Sequence, residues 1–444
     1  MPSAPEPAPQ AAQRNVLWRA TSVLVANGSG AVLTLIAQVV LARWLGVAAY
    51  GLYVYALAWV ALLGLLAIRG ADGATLRFVA TYAGQGLSHV LARFMRFSSR
   101  RALTGSLAVG TLAALTASAL GERLAAGGTI ALGCAALLLI PNVALQVNAS
   151  ELVALGRPAL ANILQGVARP ILLLAVLAAW QKFSSAPVAA SQALLANALA
   201  CLAVLAFAAN RARHAVRGVR AEVRDVNPDR SNDDTEHWRA VSGAMFGMAL
   251  GQTIISQADM LLLGALGGTT AAGVYGVAAR LASLVSMGVV SVESILAPQI
   301  ADLYARQRFA ELQAAVTHAA RLTLWWSALT IAVLAVVARP LLALFGPEFV
   351  EAAPLLLPLA GAQLVIAASG SVGFLLSMTG HQRDALRAVN GCAALTVILN
   401  VALIPSLGAW GAAIGMLVAT AARSLALTYL VRNRLRIRPS ALGW

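Results

Sequence analysis

The chain has 444 residues, of which 60% are hydrophobic and 11% are charged. A soluble domain carries about a quarter charged residues, so this composition excludes a water-soluble protein with an ordinary polar surface. The formal net charge is +15, but the basic residues occupy alternate loops instead of one patch, which argues against a nucleic-acid partner.

Apolar runs of about 20 residues recur along the whole chain, each long enough to cross about 30 Å of hydrocarbon as a helix. The first run follows an Ala/Pro-rich tail without a small-residue cleavage site, so we expect it to remain as a span. The hydropathy pattern predicts an all-α integral membrane protein with about twelve spans, near 20–42, 50–69, 102–120, 128–150, 159–180, 188–209, 240–264, 272–296, 322–345, 353–378, 386–407 and 410–430.

The basic residues predict the orientation of these spans. In the sequence, 25 of the 32 basic residues lie in segments of the same parity as the amino terminus, four lie in the other loops and three lie within spans. Because loops rich in Lys and Arg stay in the cytoplasm, we expect both termini to be cytoplasmic.

The longest polar interruption divides the chain into two halves. We predict five regions, which are a cytoplasmic tail (1–19), a first six-helix lobe (20–209), a cytoplasmic linker (210–239), a second six-helix lobe (240–431) and a cytoplasmic tail (432–444).

The two halves share an internal repeat. The segment 41–63 resembles the segment 262–285, with Gly51-Leu52-Tyr53 matching Gly273-Val274-Tyr275. Six spans per half give both halves the same orientation, so the repeat axis is expected to run along the membrane normal with a cavity between the lobes. A gene-duplicated transporter explains this pattern, whereas the alternative is chance similarity of Gly/Ala-rich helices.

Three ionisable residues within spans are candidates for function, because charge is costly inside a bilayer. Asp259 and Arg280 are expected at similar depth, where they form either a static salt bridge or a gating, ligand-binding or proton-coupling pair. Arg169 lies near the middle of span five and precedes Pro170, which frees a helix carbonyl. Its guanidinium fork matches phosphate oxygens, so it is the preferred anion contact, with pairing to Glu151 as the alternative.

Amide side chains form the candidate sugar contacts. Asn142 and Gln146 share one face of span four, and Asn162 and Gln165 share one face of span five. Amides hydrogen-bond sugar hydroxyls, although the same side chains also serve as interhelical hydrogen bonds in membranes.

Known catalytic patterns are missing from the sequence. The only lysine is Lys182, which lies outside any phosphate-binding loop, and there is no paired metal-binding motif or nucleophile elbow. The three cysteines lie far apart in apolar segments. We therefore expect no enzyme activity, no cofactor and no metal; a membrane-embedded glycan polymerase is the enzymatic alternative, although the predicted outer loops are short.

Several long stretches resemble one family. LARWLGVAAYGLYVYALAW, RGADGATLRFVATYAG, QADMLLLGALGGTTAAGVYGVAARLASL and PLLALFGPEFVEAAPLLLPLAG are similar in order and spacing to the Wzx-like flippases of lipid-linked oligosaccharides. That family belongs to the multidrug/oligosaccharidyl-lipid/polysaccharide exporter superfamily. The resemblance implies a MATE-like, V-shaped bundle of two lobes that works by alternating access.

The resemblance also implies a substrate and a location. The expected substrate is a polyprenyl-diphosphate-linked oligosaccharide, flipped across the bacterial inner membrane during surface polysaccharide biosynthesis (lipopolysaccharide or exopolysaccharide). Membrane lipids, a polysaccharide polymerase and glycosyltransferases are the expected partners. The resemblance supplies no fixed site motif, so the site residues are those derived above from the sequence itself: Arg169 and Arg280 would hold the diphosphate, and Asp259 would couple transport to protons. The alternatives are a multidrug or metabolite extruder on the same scaffold and a non-transporting scaffold.

Overall fold

The computed structural model describes residues 9–124, 127–183, 187–222, 233–435 and 437–441. Within these ranges the regular structure is entirely helical, which confirms the predicted fold class. The α-helices are α1 (Pro9–Ile68), α2 (Ala71–Gly84), α3 (Ser88–Leu124), α4 (Gly128–Ala154), α5 (Pro158–Ile163), α6 (Arg169–Phe183), α7 (Ala190–Glu222), α8 (Asp233–Leu266), α9 (Gly268–Ala305), α10 (Phe309–Phe345), α11 (Leu356–Ser369), α12 (Val372–Met378), α13 (Gln382–Leu407) and α14 (Ala409–Leu435).

Ten helical segments of the described chain are long and apolar enough to cross a membrane. One of them, Gly28–Ile68 of α1, covers two predicted spans. The two spans are separated at Gly46, where the backbone leaves the helical conformation (φ 72°, ψ 171°). This left-handed φ is readily adopted by glycine, so the sequence places a break there at little cost. With α3 added, the helices account for all twelve predicted spans.

Two spans are interrupted. In span five, a π-helical turn (Leu164–Ala168) joins α5 to α6. In span ten, a 3-10 segment (Pro347–Leu355) leads into α11, and the left-handed Gly370 (φ 72°) separates α11 from α12. Interruptions of this kind free backbone groups that must find partners inside the protein.

Several helices extend beyond the predicted spans. α7 continues to Glu222 and α8 begins at Asp233, so the predicted linker 210–239 is helical at both ends, while its middle, 223–232, lies outside the described residues. The amphipathic α2 lies between two spans and buries Phe78 and Val79. Hydropathy indicates which residues lie in the hydrocarbon, and it does not indicate where a helix begins or ends. It therefore does not detect the part of a helix that extends into the aqueous layer.

The bundle has two unlike ends. At one end, α1 runs into α2, and the indole Nε1 of Trp238 at the start of α8 donates to the hydroxyl of Tyr82 in α2 at 2.9 Å. We call this the arginine-rich end, since it carries most of the basic residues. At the opposite end, the Nε of Arg43 donates to the carbonyl of Leu344 at 2.6 Å. First-half helices (α1–α7) therefore contact second-half helices (α8–α14) at both ends.

Two glycines of the repeat meet where the halves pack together. A Cβ added to Gly51 would overlap the carbonyl oxygen of Thr269, and a Cβ added to Gly273 would lie 3.2 Å from the Cα of Gly51. Only residues without a side chain permit this approach. Gly51 and Gly273 are equivalent in the repeat, so the place where they meet is where a two-fold repeat axis is expected to pass.

Candidate functional site

Arg169 lies where the helix of span five is distorted. Pro170 cannot donate a backbone hydrogen bond, and the N–H of Arg169 donates to the carbonyl of Leu164, five residues back, instead of four. The carbonyl of Gly166 faces α1, where the hydroxyl of Thr34 approaches it at 3.5 Å. The predicted effect of Pro170 on the helix is thus confirmed, and the π-helical turn sets the direction of the Arg169 side chain.

Arg169 is held by two polar side chains of first-half helices. Its Nε donates to the Oδ1 of Asn197 at 3.0 Å, and the Nδ2 of Asn197 donates to the hydroxyl of Tyr53 at 3.1 Å. Asn197 and Tyr53 are buried. The alternative partner, Glu151, does not take this position, so the guanidinium is oriented by neutral groups.

Arg280 comes from the other half and lies near Tyr50. Its charge acts on the hydroxyl of Tyr50, and the charge of Arg169 acts on the hydroxyl of Tyr53. The two tyrosine rings are 6.4 Å apart, centroid to centroid. We call Arg169, Tyr53, Tyr50 and Arg280 the arginine–tyrosine layer, since one cation from each half acts on one member of this pair of phenols.

No carboxylate among the described residues forms an ion pair with either arginine of the arginine–tyrosine layer. Among the described residues, ion pairs with carboxylates are formed by Arg306, Arg308, Arg387 and Arg434, and by neither Arg169 nor Arg280. A guanidinium remains protonated inside a protein and offers a fork of donors suited to phosphate. The layer is therefore a candidate site for an anion.

Asp259 does not pair with Arg280, the partner expected from the sequence. The hydroxyl of Tyr275 donates to its Oδ2 at 2.8 Å, and the Nδ2 of Asn400 donates to its Oδ1 at 2.6 Å. Asp259 is only 4% exposed. The expected pair with Arg280 is therefore wrong in this structure. Similar depth along two helices does not place two side chains on facing sides.

Polar side chains line a cavity of about 460 Å³ between α1, span five and α9. We call it the amide cavity; its polar side chains are Thr34, Asn162, Gln165, Ser286 and Ser291. Asn162 and Gln165 lie one to two turns from Arg169, on the side of the arginine-rich end. The structure thus brings these two predicted amides together, whereas Asn142 and Gln146 lie on α4 and do not line this cavity.

Sequence reasoning missed five members of these networks, which are Tyr50, Tyr53, Asn197, Tyr275 and Asn400. The repeat itself offered a signal, because Tyr53 and Tyr275 were matched in the two copies and each anchors one network. Asn197 and Asn400 are polar residues within apolar spans and are almost fully buried. No group of three or more His, Cys, Asp or Glu in the described part of the chain could hold a metal ion.

Two families match the sequence. The polysaccharide biosynthesis protein family matches residues 14–304, and the MatE family matches residues 244–405. No curated protein matches the sequence at a significant level.

Solved structures of transporters share the fold. The chain is similar to the lipid II flippase MurJ in an inward closed conformation, with 12% identity, a TM-score of 0.70, and coverage of 92% of this chain and 87% of that one.

It is also similar to an outward-facing multidrug resistance MATE family transporter of the MOP superfamily, with 15% identity, a TM-score of 0.63, and coverage of 94% and 95%. The Vibrio cholerae MATE transporter VcmN in its bent form has 16% identity, a TM-score of 0.61, and coverage of 94% and 97%. With the family match over most of its length, this chain belongs to the polysaccharide biosynthesis protein family of multi-pass membrane proteins.

Proposed function

We propose that the chain is a flippase that moves a polyprenyl-diphosphate-linked oligosaccharide from the cytoplasmic to the outer leaflet of a bacterial inner membrane. The observation that carries this proposal is the arginine–tyrosine layer, in which one cation from each half acts on a shared pair of tyrosines and neither cation pairs with a carboxylate among the described residues. A diphosphate offers two adjacent anionic groups, one for Arg169 and one for Arg280. The family match and the fold support a role in polysaccharide biosynthesis.

The amide cavity would accommodate the sugars. Its hydroxyl and amide groups can exchange hydrogen bonds with sugar hydroxyls, and it lies next to the layer on the side of the arginine-rich end. A substrate arriving from that end would place its oligosaccharide in the amide cavity and its diphosphate one to two turns deeper. Its prenyl chain would remain in the bilayer while the two halves rock to expose the head group on the other side.

We place the arginine-rich end in the cytoplasm, because loops rich in arginine are retained there. A reporter fused after Arg434 and another fused within 211–239 should both be cytoplasmic, while a reporter near Gly268 should be external. An external reporter within 211–239 would contradict the twelve-span topology.

Asp259 is the proposed coupling residue. No nucleotide-binding loop is recognisable in the sequence, so an ion gradient is the proposed driving force. The carboxylate lies within the second half and is bonded only through neutral groups, so its protonation can change without breaking an ion pair.

The proposal is tested with the full chain in proteoliposomes. A fluorescent polyprenyl-diphosphate oligosaccharide is placed in one leaflet, and its appearance in the other is measured by lectin binding. We expect transfer of this lipid and little transfer of a prenol that bears the same sugar without the diphosphate. Equal transfer of both lipids would contradict the proposed role of the arginine–tyrosine layer.

A multidrug extruder is the second candidate, favoured by the MatE match over residues 244–405. Transport of organic cations calls for an acidic cavity, whereas the amide cavity is lined by neutral side chains and its neighbouring layer is cationic. Uptake of a cationic dye by the same proteoliposomes, without transfer of the lipid-linked sugar, would favour this second function.

A further inference from the structure

After α14 the chain turns back onto the second half. The side-chain amide of Gln313 in α10 pairs with both backbone groups of Arg438, since its Nε2 donates to the carbonyl and its Oε1 accepts from the N–H, each at 2.7 Å. The Nε of Arg321 donates to the carbonyl of Ala441 at 3.4 Å. Ala441 is 5% exposed. Residues 437–441, which we call the docked segment, are thus held by backbone pairing and by burial.

The docked segment lies on the break in span ten. The N–H of Ala441 donates to the carbonyl of Ala368 at 3.2 Å, in the last turn of α11. Carbonyls of a last turn have no partner within their own helix, so the docked segment satisfies one of them. A Cβ added to the left-handed Gly370 would lie 2.5 Å from the carbonyl oxygen of Pro439. Any side chain at position 370 would therefore push the docked segment away.

The internal repeat shows that the break is not required by the fold. Span four is the counterpart of span ten, and both end at a left-handed glycine, Gly156 after α4 and Gly380 after α12 (φ 76° and 85°). In each case the next N–H donates to the carbonyl five residues back, at 2.9 Å. Ten residues before Gly380 is Gly370, and ten residues before Gly156 is Gln146, which lies within the continuous helix α4. The same frame thus accommodates an unbroken span.

The chain that follows the last span also differs between the halves. In the first half, α7 continues as a helix to Glu222. In the second half, α14 ends at Leu435, where the Nε of Arg434 pairs with Asp384 at 3.1 Å, and the docked segment follows. The broken span and the docked segment therefore occur together in one half. This association indicates that each stabilises the other.

The short helix α12 connects the break to the wall of the amide cavity. Leu376 of α12 and Leu296 of α9 belong to one buried cluster. The hydroxyl of Ser371, just before α12, interacts with the carboxylate of Glu293 in α9. Glu293 follows directly on residues 286–291 of α9, which contribute to the lining of the amide cavity. A movement of α12 would therefore be transmitted to the cavity wall.

Two arrangements of span ten are available to this sequence. In the first, the docked segment is bound and the span is broken. In the second, the docked segment is released, and the carbonyl of Ala368 accepts from the N–H of Val372 in a continuous helix. Gly370 permits both, because glycine adopts left-handed and helical conformations alike. The docked segment is short and its pairing with Gln313 is exposed, so its release is less costly than the opening of a buried helix.

We propose that the docked segment is a latch for span ten. While it is bound, it keeps the span broken at Gly370. When it is released, α11 and α12 join into one helix and the wall of the amide cavity moves, so that transport requires release. This inference does not use the identity of the substrate, and only the transport measurement below rests on the proposed function.

Hydrogen–deuterium exchange of the full chain in nanodiscs tests the two arrangements. Gln313→Ala removes both bonds to Arg438, so we expect residues 437–441 to exchange severalfold faster. Residues 370–373 should exchange severalfold more slowly, because their N–H groups enter a continuous helix. The control is Gln85→Ala, an exposed glutamine whose variant should match the parent. Faster exchange in both segments, as expected of a simple brace, or no change in either would overturn the proposal.

A reversible cross-link tests whether release is needed for transport. The backbones of Ala368 and Ala441 are hydrogen-bonded, so cysteines at these positions are close enough for a disulfide. The variant Ala368→Cys/Ala441→Cys is made in a chain whose own cysteines are replaced by alanine. We expect oxidation to lower lectin-detected flipping at least tenfold and reduction to restore it. Each single-cysteine variant, oxidised in the same way, is the control and should keep its activity.

The two measurements separate failure of the latch from failure of the proposed function. Full flipping by the oxidised double-cysteine chain would mean that the docked segment never leaves, which would overturn the latch. If the reduced chain and the single-cysteine controls also fail to flip the lipid-linked oligosaccharide, the proposed function is wrong. The exchange pattern of Gln313→Ala then decides the latch by itself, since it needs no substrate.

Discussion

Tyr53 and Tyr275 are equivalent in the internal repeat, yet their hydroxyls belong to networks of opposite charge. Tyr53 accepts a hydrogen bond from Asn197, which in turn holds Arg169. Tyr275 donates to Asp259. The comparison teaches that equivalent positions of the two repeats can hold ionisable partners of opposite sign. The first-half network is suited to an anion, whereas the second-half network is suited to a proton.

Removing the cation of the first network should have the largest effect. We expect Arg169→Ala to abolish flipping and Arg169→Lys to retain part of it, because lysine keeps the charge but loses the planar fork. The measurement is lectin-detected transfer in proteoliposomes at matched protein content. The control is Arg339→Ala, an exposed arginine at the opposite end. Full activity of Arg169→Ala would exclude this network from substrate binding.

Removing the acid of the second network should abolish coupling but leave binding intact. Asp259→Asn keeps the shape and one acceptor oxygen for Tyr275 but cannot release a proton. We expect its flipping rate to be the same with and without an imposed proton gradient, whereas the parent and the exposed control Asp302→Asn respond to the gradient. If Asp259→Asn still responds, Asp259 has only a structural role.

The equivalence of the halves can be tested at the glycines that meet. Gly51→Ala and Gly273→Ala each insert a methyl group into a backbone contact, and overpacking of this kind typically costs about 1–3 kcal/mol. Both should lower the midpoint of thermal unfolding by similar amounts. Gly133→Ala, where the added Cβ meets nothing within 4 Å, is the control. A loss in only one of the two variants would mean that the contact is not symmetric.

Replacing Tyr53 or Tyr275 by phenylalanine should have the smallest effects. These two variants best separate the role of the first-half network from that of the second-half network. One neutral hydrogen bond contributes about 1 kcal/mol, so each Tyr→Phe change should alter a rate or affinity about fivefold. Tyr53→Phe should weaken the apparent affinity for the lipid-linked sugar, while Tyr275→Phe should reduce the response to the gradient. Identical phenotypes would show that the two networks do not have separate roles.

Much of the fold follows from the sequence. Apolar runs located the twelve spans, and Pro170 marked the distorted turn before Arg169. The helical extensions of α7 and α8 were not predicted, because charged helices in the aqueous layer carry no hydropathy signal. Depth along a helix placed Asp259 level with Arg280, but the rotation of each helix decides which side chains meet. That rotation is set by packing between helices far apart in sequence, such as α8 and α13, which bring Asp259 to Asn400.

The arginines of α3 also show what cannot be predicted from the sequence. From the sequence they indicate topology alone, since a positive loop predicts its side of the membrane and nothing more. Their convergence with Arg239 depends on α8 packing against α2 through Trp238. A contact between residues more than 100 positions apart cannot be inferred from local pattern, so a pocket built across it was not predicted.

The contact between Gly51 and Gly273 bears on how such a chain arose. When equivalent positions of two repeats touch each other, the interface is isologous, as in a C2 dimer of identical subunits. A half-length ancestor would then have made this contact with a second copy of itself. A substitution at the glycine would have changed both sides of the interface at once. Fusion into one chain removed that constraint. Each half became free to change separately, and two residues with one origin, Tyr53 and Tyr275, were able to take partners of opposite charge.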